Sequence, residues 1–339
     1  FFEHEQAVLG HRRLAIIDPT GGEQPMYNED RSVVIVFNGM IYNYRALFPQ
    51  LQAAGHVFRT KCDTEVVIHA WEQWGAECLA HLNGMFSFAL WDRNRETLFL
   101  ARDRLGKKPL HYARTEDGGL VFASELASFA AIPGLSRQID PQAVDDYFTF
   151  GYVPDPATIY TAIRKLPAAH CRELRRGGRM GAPRRYWAPQ TALHPIGEDA
   201  AAAELVTRLN AAVGERLVAD VPLGAFLSGG VDSSAVVALA AGQRGTPLDT
   251  FTIGFGGASD ETRFAEQVAA RYATAQHSDT ATLDYLAAAA EQARIYGEPF
   301  GDHSSVPTLA VCALAARHAK VAISGDAGVM PGRSTRPAG

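Results

Sequence analysis

The run Ser228-Gly229-Gly230-Val231-Asp232-Ser233-Ser234 has residue types at a spacing suited to gripping a polyphosphate. Two adjacent glycines let the backbone come close to an anion, and open N–H groups at a following helix start would point at it. Ser228, Ser233 and Ser234 add hydroxyl donors. Asp232 would repel phosphate alone, so its presence makes sense as a ligand for Mg²⁺ bridging to that phosphate. The blander reading is a strand-to-helix turn with a serine cap, which needs only one glycine and one capping side chain. The run carries more than that. No Gly-Lys-Ser/Thr follows, so this is not a Walker A loop, and a different nucleotide chemistry is implied.

The pattern around the run predicts what positions it. From Asp199 onward, strands alternate with helices. A helix over Asp199–Leu217 leads to a short apolar strand over Pro222–Leu227, then the glycine-rich turn and a helix over Ser233–Ala241. A strand over Thr250–Phe255 follows, then helices over Glu261–Tyr272, Leu283–Tyr296 and Ser305–His318, and a strand over Lys320–Ser324. Strands that are continuous apolar runs between helices predict an α/β doubly wound parallel sheet, whose ligands bind beyond the carboxyl ends of the strands.

The first half reads differently. Ala7–Ile17 and Val33–Phe37 are apolar, branched runs, closed by Asp18-Pro19-Thr20-Gly21-Gly22 and by Asn38-Gly39 turn chemistry. Asn43–Ala53 and Thr64–Gly75 have helical periodicity, and Met85–Trp91, Thr97–Ala101 and Gly119–Ala123 return to strand character. An α+β layered domain fits. Gly151–Thr191 is rich in Pro, Gly and Arg without a long period, and its stretch Cys171–Arg179 is basic and turn-like, so it reads as an extended surface connector. The expected division is residues 1–150, a connector over 151–197, and residues 198–339.

Composition narrows the class. Apolar residues make up 47% of the 339 residues and charged residues 20%, the profile of a globular protein large enough for two cores. A net charge of -5 gives no basic footprint for nucleic acid and no polybasic membrane surface. Cys62, Cys78, Cys171 and Cys312 are scattered without metal-ligand spacing. That excludes a disulfide framework and fits a reducing cytoplasm.

With these residues in view, the chain resembles the glutamine-hydrolysing asparagine synthetase family. The Ser-Gly-Gly-x-Asp-Ser run is similar to the pyrophosphate loop of that family's ATP-pyrophosphatase domain. Asp220–Gly224, Phe251–Phe255, Asp260-Glu261, Glu298-Pro299 with Asp302, Ser304-Ser305, Pro307-Thr308 and Ser324-Gly325-Asp326 match its surroundings. In the first half, the matching pieces are Gly10–Asp18, Gln24–Met26, Phe37–Gly39 with Ile41–Asn43, Asp63–Glu65, Gly84–Ala89, Arg102–Leu110 and Ala123–Glu125. They are similar to a glutaminase domain.

The resemblance implies an αββα, N-terminal-nucleophile hydrolase-like domain followed by an adenine nucleotide alpha hydrolase-like one. It implies glutamine hydrolysis in the first. In the second, ATP adenylates aspartate to β-aspartyl-AMP with release of pyrophosphate, and ammonia then gives asparagine. ATP and Mg²⁺ are the implied cofactors. Glutamine, aspartate and ATP are the implied partners, with a homodimer as an arrangement the family reading allows and the cytoplasm as location. By position, Arg13 would pair with the glutamine carboxylate, flanked by Leu14, Ala15, Ile16 and Ile17. Asn38 and Gly39 would form an oxyanion hole, Met40 would lie beside them, and Asp63 would hold the glutamine ammonium group. Leu227, Ile253, Ser324 and Gly325 would contact adenosine. Ser228, Gly229, Gly230, Val231, Asp232 and Ser233 would hold pyrophosphate, with Asp232 as the metal ligand.

Three departures from the family pattern stand out. The family's nucleophile is an N-terminal cysteine, and the chain opens at Phe1, downstream of where it would be, so a fragment truncated at both ends and without glutaminase activity is expected. Met40 replaces the family's glutamate after Asn-Gly, and a thioether is a poor acceptor for an ammonium group. After Gly328 the sequence Val329–Gly339 carries no acidic pair, which suggests a shift of reading frame; a doubly wound sheet stopped after Ser324 would leave apolar helix faces uncovered, so marginal solubility is expected. A relative that amidates a different carboxylate, in polysaccharide or exported-product biosynthesis, and a non-catalytic nucleotide binder are the competing expectations.

Overall fold

The computed structural model describes residues 1–177, 181–190, 195–256, 260–281, 284–302 and 304–325. The described residues fall into two compact units, one within Phe1–Ala192 and Leu286–Asp302, the other within Leu193–Tyr285 and His303–Gly339.

The first unit opens with the hairpin of β1 (Phe2–His4) and β2 (Ala7–Leu9), followed by β3 (Met26–Tyr27) and β4 (Val33–Ile41). Two helices come next, α1 (Tyr44–Ala53) and α2 (Asp63–Trp74), then the single turn α3 (Cys78–His81). Strands β5 (Gly84–Asp92), β6 (Thr97–Arg102), β7 (His111–Arg114) and β8 (Leu120–Ala123) precede α4 (Pro141–Phe150), and β9 (Ile163–Lys165), β10 (His170–Arg175) and β11 (Arg184–Arg185) complete the unit's strands. A six-stranded antiparallel sheet has the order β11-β10-β6-β5-β4-β3, and a second sheet has the order β8-β7-β9.

Alternation along the strands explains the layers. Val34, Val36, Ala89, Trp91, Leu98 and Leu100 share a core with Leu110, Tyr112 and Leu166 from the second sheet. The opposite face of the large sheet meets the helices, with Trp71 of α2 stacked 4.6 Å from Phe99. Ala113 on the outer face of the second sheet packs with Ala143 of α4, Leu126 and Phe129. Two sheets between helical layers result, the αββα arrangement.

Three local expectations are corrected. The strand beginning at Ala7 stops at Leu9, and residues 10–16 are irregular. The Arg13 guanidinium curls this segment by donating to the carbonyls of Ile17 (2.5 Å) and Asp18 (2.9 Å). Asn38-Gly39 is not a turn but the interior of β4, in register with Ser87 and Phe86. A Cβ at Gly39 would lie 2.2 Å from the Met85 carbonyl oxygen, so glycine lets β4 and β5 approach there. Residues 163–185 are not an extended connector either. β10 pairs with β6 from Cys171↔Ala101 to Arg175↔Thr97, and Cys171 is buried. Its charged side chains disguise the strand, as charge near a sheet edge often does.

The second unit contains α5 (Glu198–Arg216), β12 (Leu223–Phe226), α6 (Val231–Gly242), β13 (Asp249–Gly254), α7 (Thr262–Tyr272) and β14 (Ala275–Thr280). Helix α8 (Tyr285–Tyr296) leads back to the first unit, and α9 (Ser305–Ala315) and β15 (Val321–Ile323) return to the second. Its sheet is wholly parallel, β14-β13-β12-β15, around a core that includes Val213, Leu223, Val237, Leu248 and Ile323. The chain steps from β12 to β13 and β14 on one side, then returns to the other side of β12 as β15. That reversal puts a crevice at the carboxyl end of β12. Among the described residues no helix is long and apolar enough to cross a membrane.

Candidate functional sites

In the first unit, a cavity of about 430 Å³ opens where the irregular segment after β2 faces the ends of β4 and α2. Arg13, Leu14, Ile16, Ile17, Asn38, Gly39, Met40 and Asp63 all line it, while Ala15 does not. Asp63 is the first residue of α2 and is only 5% exposed. Its Oδ2 accepts from the Ile41 N–H at 2.8 Å, and burial, against that hydrogen bond, pushes its carboxyl up to about 6. Asn38 Nδ2 reaches Ser124 Oγ at 3.4 Å, and Met40 is buried with its backbone in register with Met85. Arg13 donates inward to the Ile17 and Asp18 carbonyls, so part of its fork already holds the loop that shapes the cavity.

Lining residues beyond the expected set include Gln24, Cys62, Lys108 and Ser124. Gln24 pins β4 through both Phe37 backbone groups, at 2.7 and 3.1 Å. Burial lowers the Lys108 ammonium, opposed by the charge of Asp103. Asp103 itself is buried and accepts from the backbone N–H groups of Phe86, Leu105, Lys107 and Lys108, which folds the turn presenting Lys108. The run Arg102–Leu110 was the available signal. Cys62 is no substitute nucleophile. Burial and the neighbouring Asp63 charge push its thiol up to about 11, and its Sγ faces the Ile17 carbonyl at 3.7 Å.

In the second unit, a cavity of about 560 Å³ lies at the carboxyl ends of β12, β13 and β15. Leu227, Ser228, Gly230, Val231, Asp232, Ser233, Ile253, Ser324 and Gly325 line it, together with Phe255, Ser304, Pro307 and Thr308. Gly229 is behind the lining. Its φ is +86°, and a Cβ there would lie 2.7 Å from both the Ala265 nitrogen and Phe264 Cβ. The loop is tied to itself by Ser228 Oγ, which sits 3.0 Å from Ser233 Oγ and accepts from Gly230 N–H at 3.3 Å. Thr252 Oγ1 donates to the Leu227 carbonyl at 2.8 Å and fixes the strand end.

Helix α6 then starts with no side-chain cap, and Asp232 is the acidic residue of its first turn. Gly325 packs against that turn, with Asp232 Cβ 3.1 Å from where its own Cβ would be. An uncapped helix start beside serine hydroxyls and an exposed carboxylate fits Mg²⁺ with a polyphosphate. At the edge of the crevice Asp260 accepts from the N–H groups of Phe255 and Gly256, and hydrogen bonds from Thr262 and the loop hold its carboxyl down to about 2. Ser304, Pro307 and Thr308 reach the cavity. Glu298 is engaged inside the first unit, its Oε1 2.6 Å from Lys165 Nζ. Asp326 and the chain beyond it lie outside the described residues, as does the expected frame change after Gly328.

The glutamine amidotransferase domain family matches residues 1–187, and the asparagine synthase family matches residues 204–328. The chain is 38% identical over 261 residues to asparagine synthetase [glutamine-hydrolyzing] 3 of Bacillus subtilis, covering 75% of this chain and 42% of that protein. It is 33% identical to asparagine synthetase [glutamine-hydrolyzing] 1 of the same organism, covering 96% and 51%. Against asparagine synthetase [glutamine-hydrolyzing] 2 of Arabidopsis thaliana it is 36% identical, covering 76% and 40%. The chain thus spans about half the length of the curated relatives it matches. Its two domains, in this order and with these motifs, place it in the glutamine-hydrolysing asparagine synthetase family.

Proposed function

We propose that this chain forms the glutamine site and the ATP site of an enzyme that converts aspartate to asparagine. Ammonia comes from glutamine, and the aspartate side-chain carboxylate is activated as β-aspartyl-AMP. The observation that carries this reading is the second cavity. It gathers the Ser228–Ser233 loop, Ile253, Ser324 and Gly325 at the reversal point of the parallel sheet, where sheets of this kind bind ligands.

Each residue has a task that follows from its place. The uncapped first turn of α6, with Ser228 and Ser233, receives the pyrophosphate oxygens, and Asp232 holds Mg²⁺. A Mg²⁺ ion held there would supply positive charge to the leaving pyrophosphate. Leu227 and Ile253 form the apolar wall for adenine, and Gly325 admits the nucleotide close to α6. Ser304 and Thr308 supply hydroxyls on the side where the acceptor carboxylate would lie. In the first cavity Arg13 presents its remaining donors to the glutamine α-carboxylate. The Asp63 carboxylate takes the ammonium group, and Asn38 with the Gly39 N–H faces the developing oxyanion. A donor of that kind is worth roughly 10²–10³ in rate.

Titration calorimetry with a non-hydrolysable ATP analogue and Mg²⁺ tests the reading, comparing the chain with Asp232→Asn. We expect saturable binding that the substitution weakens at least tenfold; the absence of metal-dependent binding would remove it. Product analysis with aspartate, ATP and ammonium, on a chain extended to the length of its relatives, then identifies the acceptor. AMP formed only with a different carboxylate would assign that substrate instead.

A further inference from the structure

In the first unit, two histidines and three glutamates converge at a site to which nothing above gives a role. Glu29 follows β3, His56 lies in the loop after α1, and Glu65, His69 and Glu72 share one face of α2 at i, i+4 and i+3 spacings. One donor atom each from Glu29, His56 and His69 lies within 4.8 Å of the others. His69 is fully buried.

We propose that Glu29, His56, His69 and Glu72 bind one divalent transition-metal ion of the zinc class, which ties the loop after α1 and the turn after β3 to helix α2. Glu72 stands beside that three-residue group, and the separations around the two imidazoles support this. Glu72 Oε2 lies 2.8 Å from His69 Nδ1 and 3.7 Å from His56 Nδ1, and Glu29 Oε2 lies 4.0 Å from His69 Nδ1. Tetrahedral zinc with donors at about 2.0–2.2 Å needs them roughly 3.3–3.5 Å apart, a range that these three separations bracket. Each carboxylate has its other oxygen occupied: Glu29 Oε1 accepts from Val57 N–H at 2.9 Å, and Glu72 Oε1 from Asn28 Nδ2 at 2.6 Å. That leaves one oxygen of each for the ion.

The outward nitrogens of both imidazoles support the same arrangement. His56 Nε2 is 3.1 Å from Gln73 Oε1, leaving Nδ1 for the metal. His69 Nε2 has no hydrogen-bond partner among the described residues, yet it faces Glu65 Oε1 at 3.7 Å. Glu65 is itself buried and held by the N–H groups of Arg59 and Thr60 at 2.7 Å. A small rotation of the imidazole onto Nδ1 coordination would let Nε2–H donate to Glu65, the carboxylate–histidine–metal arrangement. Two carboxylates and two neutral imidazoles also balance a divalent charge. Mixed nitrogen and oxygen donors favour zinc over calcium or magnesium.

The competing occupant is a proton on His69. Burial disfavours that proton, but Glu65, Glu72 and Glu29 outweigh it and raise the group to about 9.

The test is titration of the full chain, carrying Cys312→Ser to remove the exposed thiol, with Co²⁺ alone and then Zn²⁺. We expect one equivalent with the visible absorption of four-coordinate cobalt, displaced by Zn²⁺, and affinity lowered at least tenfold in His56→Ala and in Glu29→Gln. On the unsubstituted-cluster chain, the imidazole NMR signals of His56 and His69 should shift together at one equivalent. No saturable binding, binding equal in both variants and parent, or a shift of neither imidazole overturns the assignment.

Discussion

Asp63 illustrates how burial can hold one residue in a costly state. Its carboxyl titrates near 6 in the fold against an ordinary 3.8, because burial outweighs the Ile41 hydrogen bond. The folded chain therefore holds this proton more tightly than the unfolded chain. Its contribution to stability falls as pH rises from about 4 to about 6 and stays low above that. Two pKa units correspond to about 3 kcal/mol. We accordingly expect Asp63→Asn, which keeps an oxygen for the Ile41 N–H, to be more stable than the parent at pH 8 by up to about 3 kcal/mol. The gap should shrink by pH 4.5, while binding of a glutamine analogue is lost. Urea unfolding at the two pH values measures this, and an equal loss of stability at both would show that Asp63 has no buried charge to relieve. At this scale the sequence was informative through its motifs: Arg13, Asn38, Gly39 and Asp63 come to one cavity from positions up to fifty residues apart. It did not show that Arg13 spends donors on its own loop, because that depends on how residues 10–16 curl, and no local period encodes the curl.

At the scale of elements, burial decided what could be read. The helices on either side of the Ser228–Ser233 loop and the parallel strands β12 and β13 were legible because fully covered strands are continuous apolar runs. β14 was not, since Ala275–Thr280 is a polar edge strand, and β10 was hidden under arginines. Helix α4 went unread although its ends carry clear chemistry. Asp140 accepts from the Gln142 N–H, Pro141 occupies the first turn, and Gly151 ends the helix at φ +80°. The Ser228 loop is the element most exposed to a single change. Gly229 combines φ +86° with backbone and side-chain atoms 2.7 Å from any added Cβ. Gly229→Ala should therefore cost roughly 1–3 kcal/mol and displace the start of α6 from α7. Thermal melting should show the loss, and Mg·ATP-analogue binding should weaken at least tenfold. Retained affinity would mean that the loop's conformation does not set the site.

The whole molecule is two cores threaded by one chain, and the threading has a measurable consequence. The segment Leu286–Asp302 belongs to the first unit although it lies deep in the second half of the sequence. Glu298 anchors it there through Lys165 Nζ at 2.6 Å and the Ile159 N–H at 3.1 Å, while Gly301 N–H donates to the Gly151 carbonyl at 2.7 Å. Both side chains of the ion pair are 13% exposed, so removing one partner leaves the other largely desolvated, at a cost of about 3 kcal/mol. Separate cores lead us to expect two calorimetric transitions. A ligand at a hundred times its Kd stabilises its own unit by about 2.7 kcal/mol. An ATP analogue with Mg²⁺ should then raise one transition and a glutamine analogue the other, each by roughly 5–10 °C. Glu298→Ala should lower only the transition that the glutamine analogue raises, despite its place in the sequence next to Ser304, Pro307 and Thr308 of the second cavity. If it lowers the nucleotide-sensitive transition instead, Leu286–Asp302 owes its stability to the second core, and the Lys165 pair is a surface contact of little weight.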